Sequence, residues 1–140
     1  MIRGKFILST EDASEVFALR EKVFGAGEKD MFDAMAVYAV AYDEDGTASG
    51  AGRLCIDGDG AFTVDAVGVL PDRRGRYLGD LLMRMLLYRA LQLNAPRVHL
   101  FCGDDVAPFF ARYGFKTAGE GEMCASAAEI DIEGSCGCCN

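Results

Sequence analysis

The sequence predicts an α+β fold, and three observations carry that reading. Apolar, β-favouring stretches follow one another through the middle of the chain with only short Asp- and Gly-rich breaks between them. Helix-forming segments stand before and after those stretches rather than alternating with each of them. The second half then runs helix, strand, helix, strand. A meander followed by such a run is the pattern of an antiparallel sheet with helices packed on it.

Residues 12–24 place Val16, Phe17, Leu19 and Val23 near helical spacing behind a Ser9-Thr10-Glu11-Asp12 start signal, which predicts the first helix. Nothing ahead of it is read as an element. Residues 25–33 are polar and acidic, with Glu28, Asp30 and Asp33, and read as a loop or short second helix. Ala36–Tyr42, Ala48–Ile56 and residues 61–70 read as strands. The breaks Asp43-Glu44-Asp45-Gly46 and Asp57-Gly58-Asp59-Gly60 join them as hairpins, because Asp hydrogen-bonds its own turn and Gly takes positive φ. Residues 80–93 are rich in Leu, Met, Arg and Ala, good helix formers, and Asn94-Ala95-Pro96 stops them. Residues 97–102 read as a strand, 104–112 as a short helix before Gly114, and 115–118 and 127–132 as the final strands. No internal repeat is visible.

The 140 residues are 51% hydrophobic and 26% charged, a balance that supports one packed domain over residues 1–133. Residues 134–140 form a tail of different composition. Against 22 Asp and Glu stand 14 Lys and Arg, and the resulting charge of −8 opposes long-range attraction to nucleic acid or anionic lipid. No stretch has the length of a membrane span or the layout of a signal peptide, so the expected compartment is the cytoplasm. There the six cysteines are expected to be reduced, buried or metal-bound. An oligomer is left open.

Within this acidic chain Arg73, Arg74, Arg76 and Arg84 cluster, a patch suited to a small polyanion. Ala66-Val67-Gly68-Val69-Leu70 runs into Pro71-Asp72-Arg73-Arg74-Gly75-Arg76-Tyr77-Leu78-Gly79, and the helix follows at once. A strand, turn and helix of this kind gathers free backbone amides and the positive end of a helix dipole at one point, which is an anion site. Gly75 and Gly79 allow tight backbone and close approach of a phosphate oxygen. The turn lacks the Gly-Lys-Ser/Thr ending of a P-loop, and no dinucleotide GxGxxG is present. A solvated basic turn explains the same residues, and spacing alone does not name a ligand.

The segment from Val67 to Gly79 resembles the acetyl-coenzyme A motif of the GNAT superfamily of N-acetyltransferases. Pro108-Phe109-Phe110-Ala111-Arg112-Tyr113-Gly114-Phe115 is similar to that family's late helix and following Gly-Phe, in the right order, and the resemblance spans residues 36–118. It implies a mixed, mainly antiparallel central sheet flanked by helices, with splayed fourth and fifth strands. It implies acetyl-CoA as cosubstrate, its pyrophosphate on the amides of Arg74, Gly75, Arg76, Tyr77, Leu78 and Gly79 with Arg73 nearby. Val67 and Val69 meet the pantetheine, which pairs with the fourth strand as an added strand would, and Gly68 suits a bulge there. Two positions depart from the family pattern. Tyr77 stands where its central glycine falls, and Phe110 stands where its thiolate-protonating tyrosine falls.

The chemistry implied is direct attack of a primary amine on the thioester in a ternary complex. Asp65, which interrupts an apolar strand, is the first base candidate, through water; a strand-face salt bridge is the alternative. His99, the only histidine, is the second, with a satisfied imidazole as its alternative. Tyr113, one turn after Phe110, is the acid candidate, with a tyrosine packed before the Gly114-Phe115 turn as the favoured alternative, and a thiol of pKa about 8.5 leaves without an acid. Cys102 as a covalent nucleophile is a minor alternative. Glu28, Asp30 and Asp33 would draw a cationic acceptor, which is a small-molecule or protein amine; a solvated acidic loop explains the same residues without function. Cys136, Cys138 and Cys139, with Cys124 or Cys55, are soft-metal candidates without a standard zinc spacing. A coenzyme A-binding regulatory module and a thiol-metal protein are therefore the rival functions.

Overall fold

The structure, a computed structural model, describes residues 1–57 and 59–133. Its strands are β1 (Arg3–Leu8), β2 (Ala36–Tyr42), β3 (Ala48–Ile56), β4 (Phe62–Val69), β5 (Arg97–Phe101), β6 (Lys116–Gly119) and β7 (Glu122–Ser126). They form one sheet in the order β1-β2-β3-β4-β5-β7-β6. Every neighbouring pair is antiparallel except β4 with β5. The helices are α1 (Ser14–Phe24), α2 (Leu78–Gln92) and α3 (Ala107–Ala111), with 3-10 turns at Met31–Met35 and Pro71–Arg73.

β2 is buried along its whole length because a helix covers each face of the sheet there. Val37, Ala39 and Ala41 point to the α2 side, and Tyr38, Val40 and Tyr42 to the α1 side. On α2 the buried residues Leu78, Leu82, Met83, Leu86, Leu87 and Ala90 recur at helical spacing, so one stripe faces the sheet. Each buried leucine contributes about 1.5–3 kcal/mol relative to exposure. Gly50 and Gly52 of β3 let α2 lie close. A Cβ built at Gly52 would stand 2.7 Å from Leu86 Cδ1, and one at Gly50 3.1 Å from Leu82 Cδ1. α1 presents Val16 and Leu19 to the opposite face and ends on Gly25, left-handed at φ 70°, whose amide donates to the Glu21 carbonyl.

The meander and both major helices lie where the sequence predicts, and three details differ. β1 was not predicted, because Arg3-Gly4-Lys5 gives it little apolar pattern; it is an edge strand held by pairing with β2. The last strand is β7, not 127–132. Residues after Ser126 instead turn, with Glu129 N and Ile130 N both donating to the Ser126 carbonyl. The bulge of β4 is not at Gly68. Ala51 pairs with Gly68 and Arg53 with Asp65, so Ala66 and Val67 together face Gly52, and Ala66 takes φ 50°. Gly68 serves a different need: a Cβ there would lie 2.6 Å from Val23 Cγ1, so its absence lets α1 close on the sheet.

Candidate functional site

The cleft begins where two strands part. β4 and β5 run parallel but pair over only two positions, Phe62 with Val98 and Thr63 with His99. Beyond them the strands diverge and leave a cavity of about 740 Å³. Val64 to Val69 form one wall, and Leu100, Phe101 and Cys102 with Phe109 and Phe110 form the other. The bulge matters here, because the extra residue reverses the alternation and turns Val67 and Val69 toward the α2 side of β4.

The cavity runs up to the turn before α2, where Arg73, Arg74, Gly75, Tyr77, Leu78 and Gly79 line it. The first intrahelical amide is that of Leu81, donating to the Tyr77 carbonyl, so the amides of Leu78, Gly79 and Asp80 have no partner inside the helix. Gly75 has φ 82° and Tyr77 has φ 67°, so the left-handed backbone a glycine would supply is present with a tyrosine in its place. The arginines divide. Arg73 Nη1 bonds Asp43 and Asp45, each at 3.0 Å, and Arg76 Nη1 bonds Asp43 at 2.6 Å. Arg76 does not line the cavity. Among the described residues Arg74 has no carboxylate partner; its Nε donates to the Val69 carbonyl at 3.1 Å.

Of the three predicted acid and base residues, only Asp65 lines the cleft. Its two oxygens accept from Arg53 Nε and Nη2 at 2.7 Å each, while its side chain stays 38% exposed. His99 faces Glu122, with Nδ1 3.0 Å from Oε2, and is not in the cleft wall. Tyr113 is buried under α3 and donates its proton to Asp80, and burial together with that bond raises its phenol far above the ordinary value. Phe110 reaches the cleft; Tyr113 does not. Cys102 lines the wall, its thiol pKa pushed up by burial.

A second cavity, of about 620 Å³, opens on the α1 side of the sheet and shares Phe24 and Ala66 with the first. Arg20, Glu21, Glu28, Lys29, Asp30 and Arg53 also border it. Glu28 and Asp30 are therefore near the cleft, but Asp33 is not a free acid. It is fully buried and accepts from Arg20 Nη2 at 2.9 Å, Arg53 Nη1 at 3.0 Å and the Tyr38 hydroxyl at 2.7 Å. Burial would raise its pKa, yet those donors, Arg20 foremost, hold it far below the carboxylate range. This network was missed from the sequence. Its signals were a lone arginine inside the apolar stretch of β3 and Arg20 on the apolar side of α1. The same surroundings push the Cys55 thiol to about 12, by burial first and then by the charge of Asp65.

Among the described residues no group of His, Cys, Asp or Glu is arranged to hold a metal, and no helix is long and apolar enough to cross a membrane. Cys136, Cys138 and Cys139 lie outside the described residues.

Residues 34–117 match the acetyltransferase (GNAT) domain family. Solved structures share the fold. An acyl-CoA N-acyltransferase from Pseudomonas aeruginosa superposes with TM-score 0.77 at 19% identity, covering 90% of this chain and 100% of its own. Escherichia coli ElaA gives TM-score 0.78 at 19% identity with the same coverage. Glucosamine-6-phosphate N-acetyltransferase from Arabidopsis thaliana gives 0.65 at 14% identity, covering 85% of this chain and 94% of its own.

Proposed function

Because the chain belongs to the GNAT acetyltransferase family, we propose that it transfers an acetyl group from acetyl-coenzyme A to a primary amine. The observation that supports this most is the meeting of two cavities over the β4 bulge. One runs to a basic turn at a helix start and the other to an acidic loop, so a long donor with an anionic end and a cationic acceptor would meet at Ala66.

The donor fits the residues present. The amides of residues 74–79 would hold its pyrophosphate, with Arg74 the arginine left to add charge and Arg73 and Arg76 fixing the turn through Asp43. Val67 and Val69 would line the pantetheine arm, and the edge of β4 freed by the splay would pair with it. Bound there, acetyl-coenzyme A supplies an activated acyl carbonyl. The acceptor side carries a slight acidic excess. Arg20 and Arg53 pair with Asp33, Asp65 and Asp30, three carboxylates on two guanidiniums, and Glu21 and Glu28 stand against Lys29.

In the reaction the amine nitrogen bonds the carbonyl carbon, the carbon–sulfur bond breaks, and acetyl passes to nitrogen as coenzyme A leaves. Asp65 keeps lone pairs free for water beyond its two bonds to Arg53 and the Cys55 thiol at 3.8 Å, so it is our base, acting through that water. Only the neutral amine attacks the thioester, so kcat/KM should rise with pH along the acceptor's own titration. His99 and Tyr113 stand outside the cleft wall, and solvent would protonate the thiolate.

The test is thiol release from acetyl-coenzyme A across polyamines, aminoglycosides, amino acids and peptides. We expect one class to give thiol and acetylated amine in equal amounts. Binding without transfer in every arm would instead favour a coenzyme A-binding regulatory module, for which Phe110 in the cleft wall speaks.

A further inference from the structure

Tyr77 occupies a backbone position that favours glycine. At φ 67° and ψ 13° it is left-handed, a conformation that crowds the Cβ of any L side chain. Nothing in the surrounding fold accounts for a tyrosine there. It stands at the N-cap of α2 but its side chain caps no amide. The residue is 79% exposed and not part of the core. Among the described residues its hydroxyl makes no hydrogen bond, and the ring faces no other ring or cation. It nevertheless lines the cleft, at the end where Arg73 and Arg74 gather. A strained position that carries a large side chain without packing it points to a use outside the fold.

The chemistry of the ring and of its place narrows that use. A flat aromatic face in water holds other flat faces, and its site lies beside the amides proposed for the pyrophosphate. We propose that the Tyr77 ring is a stacking platform for the adenine base of coenzyme A, so that this chain reads the nucleotide end of its donor as well as the pantetheine arm. The proposal rests on the reading that the cleft holds coenzyme A. Stacking of a base on an aromatic ring changes affinity by about tenfold or more, independent of the phosphate contacts.

Calorimetric titration of the full chain and its variants with coenzyme A and with 4′-phosphopantetheine, which lacks the whole 3′-phosphoadenosine 5′-phosphate half, shows for each variant whether its loss falls on the nucleotide end. Tyr77→Phe should keep the coenzyme A Kd within about twofold, since the face remains. Tyr77→Gly should weaken coenzyme A about tenfold, leave phosphopantetheine within about twofold, and melt no lower than wild type, because glycine suits the left-handed backbone. Tyr77→Asn, which tolerates that backbone without glycine's flexibility, should repeat the loss. Equal coenzyme A affinity in wild type and Tyr77→Gly, or tighter binding by the variant, would overturn the proposal and leave the cleft reading standing. So would parallel loss of both ligands, which marks a backbone effect. A wild type that binds neither ligand removes the cleft reading and the proposal with it.

Discussion

Replacing Asp33 by Asn would leave Arg20 and Arg53 buried beside a neutral amide. Breaking a buried pair in this way costs about 3–5 kcal/mol, so Asp33→Asn should lower the urea midpoint sharply. The same carboxylate sets an acid limit. Its folded pKa is depressed, so the unfolded chain binds the proton more readily, and its contribution is present above about pH 4 and lost as pH falls further. Cys55 acts at the other end. Its thiol is raised to about 12, so the stability tied to the neutral form is complete below its ordinary value of about 8.5 and lost as pH climbs from there toward 12. Urea midpoints measured from pH 2 to 11 should trace a plateau with both flanks. The two tyrosine-position residues separate cleanly. Phe110→Tyr places a proton donor in the cleft wall and should raise kcat, whereas Tyr113→Phe should cost about 1 kcal/mol of stability and leave kcat within about twofold. The turn was legible as a basic strand–turn–helix because its glycines and arginines are contiguous in the sequence, but that two of its arginines hold Asp43 and Asp45 was not. The partners of Asp33 and Asp65 were not, since they come from strands and helices far apart in the chain.

At the scale of elements, the β4 bulge and the closeness of α1 position the site. Gly68→Val would drive a branched side chain into Val23 and Phe24 and should destabilise by about 1–3 kcal/mol, read from thermal melting. Because α1 also borders both cavities through Phe24, the same change should raise the acceptor KM more than that for acetyl-coenzyme A. The hairpins of the meander could be read from sequence because apolar runs and Asp-Gly breaks are local signals. β1 and β7 were obscured for opposite reasons. The first is polar at its start and gains its order from β2, and the second alternates weakly around the small Ala125 while the residues after it mimic a strand. The splay of β4 from β5 was expected from family resemblance alone, since no local pattern encodes where a parallel pair stops pairing.

The whole molecule is acidic, with a charge of −8, so the anion site proposed at the turn would act locally, through the helix start and Arg74, while Asp43 and Asp45 hold Arg73 and Arg76. If that site holds the donor, binding must stabilise the fold, by about 2.7 kcal/mol at a hundredfold excess over Kd. The most direct measurement is a calorimetric titration of acetyl-coenzyme A into wild type and Gly79→Trp. A Cβ at Gly79 meets only Phe109 at 3.8 Å and Val69 at 4.0 Å, ordinary contacts, so the backbone tolerates a side chain there on a residue that lines the cleft, and thermal melting of the variant checks that it folds. The account predicts one-to-one binding by wild type and none by a folded Gly79→Trp; equal binding by both, or none by wild type, would contradict it.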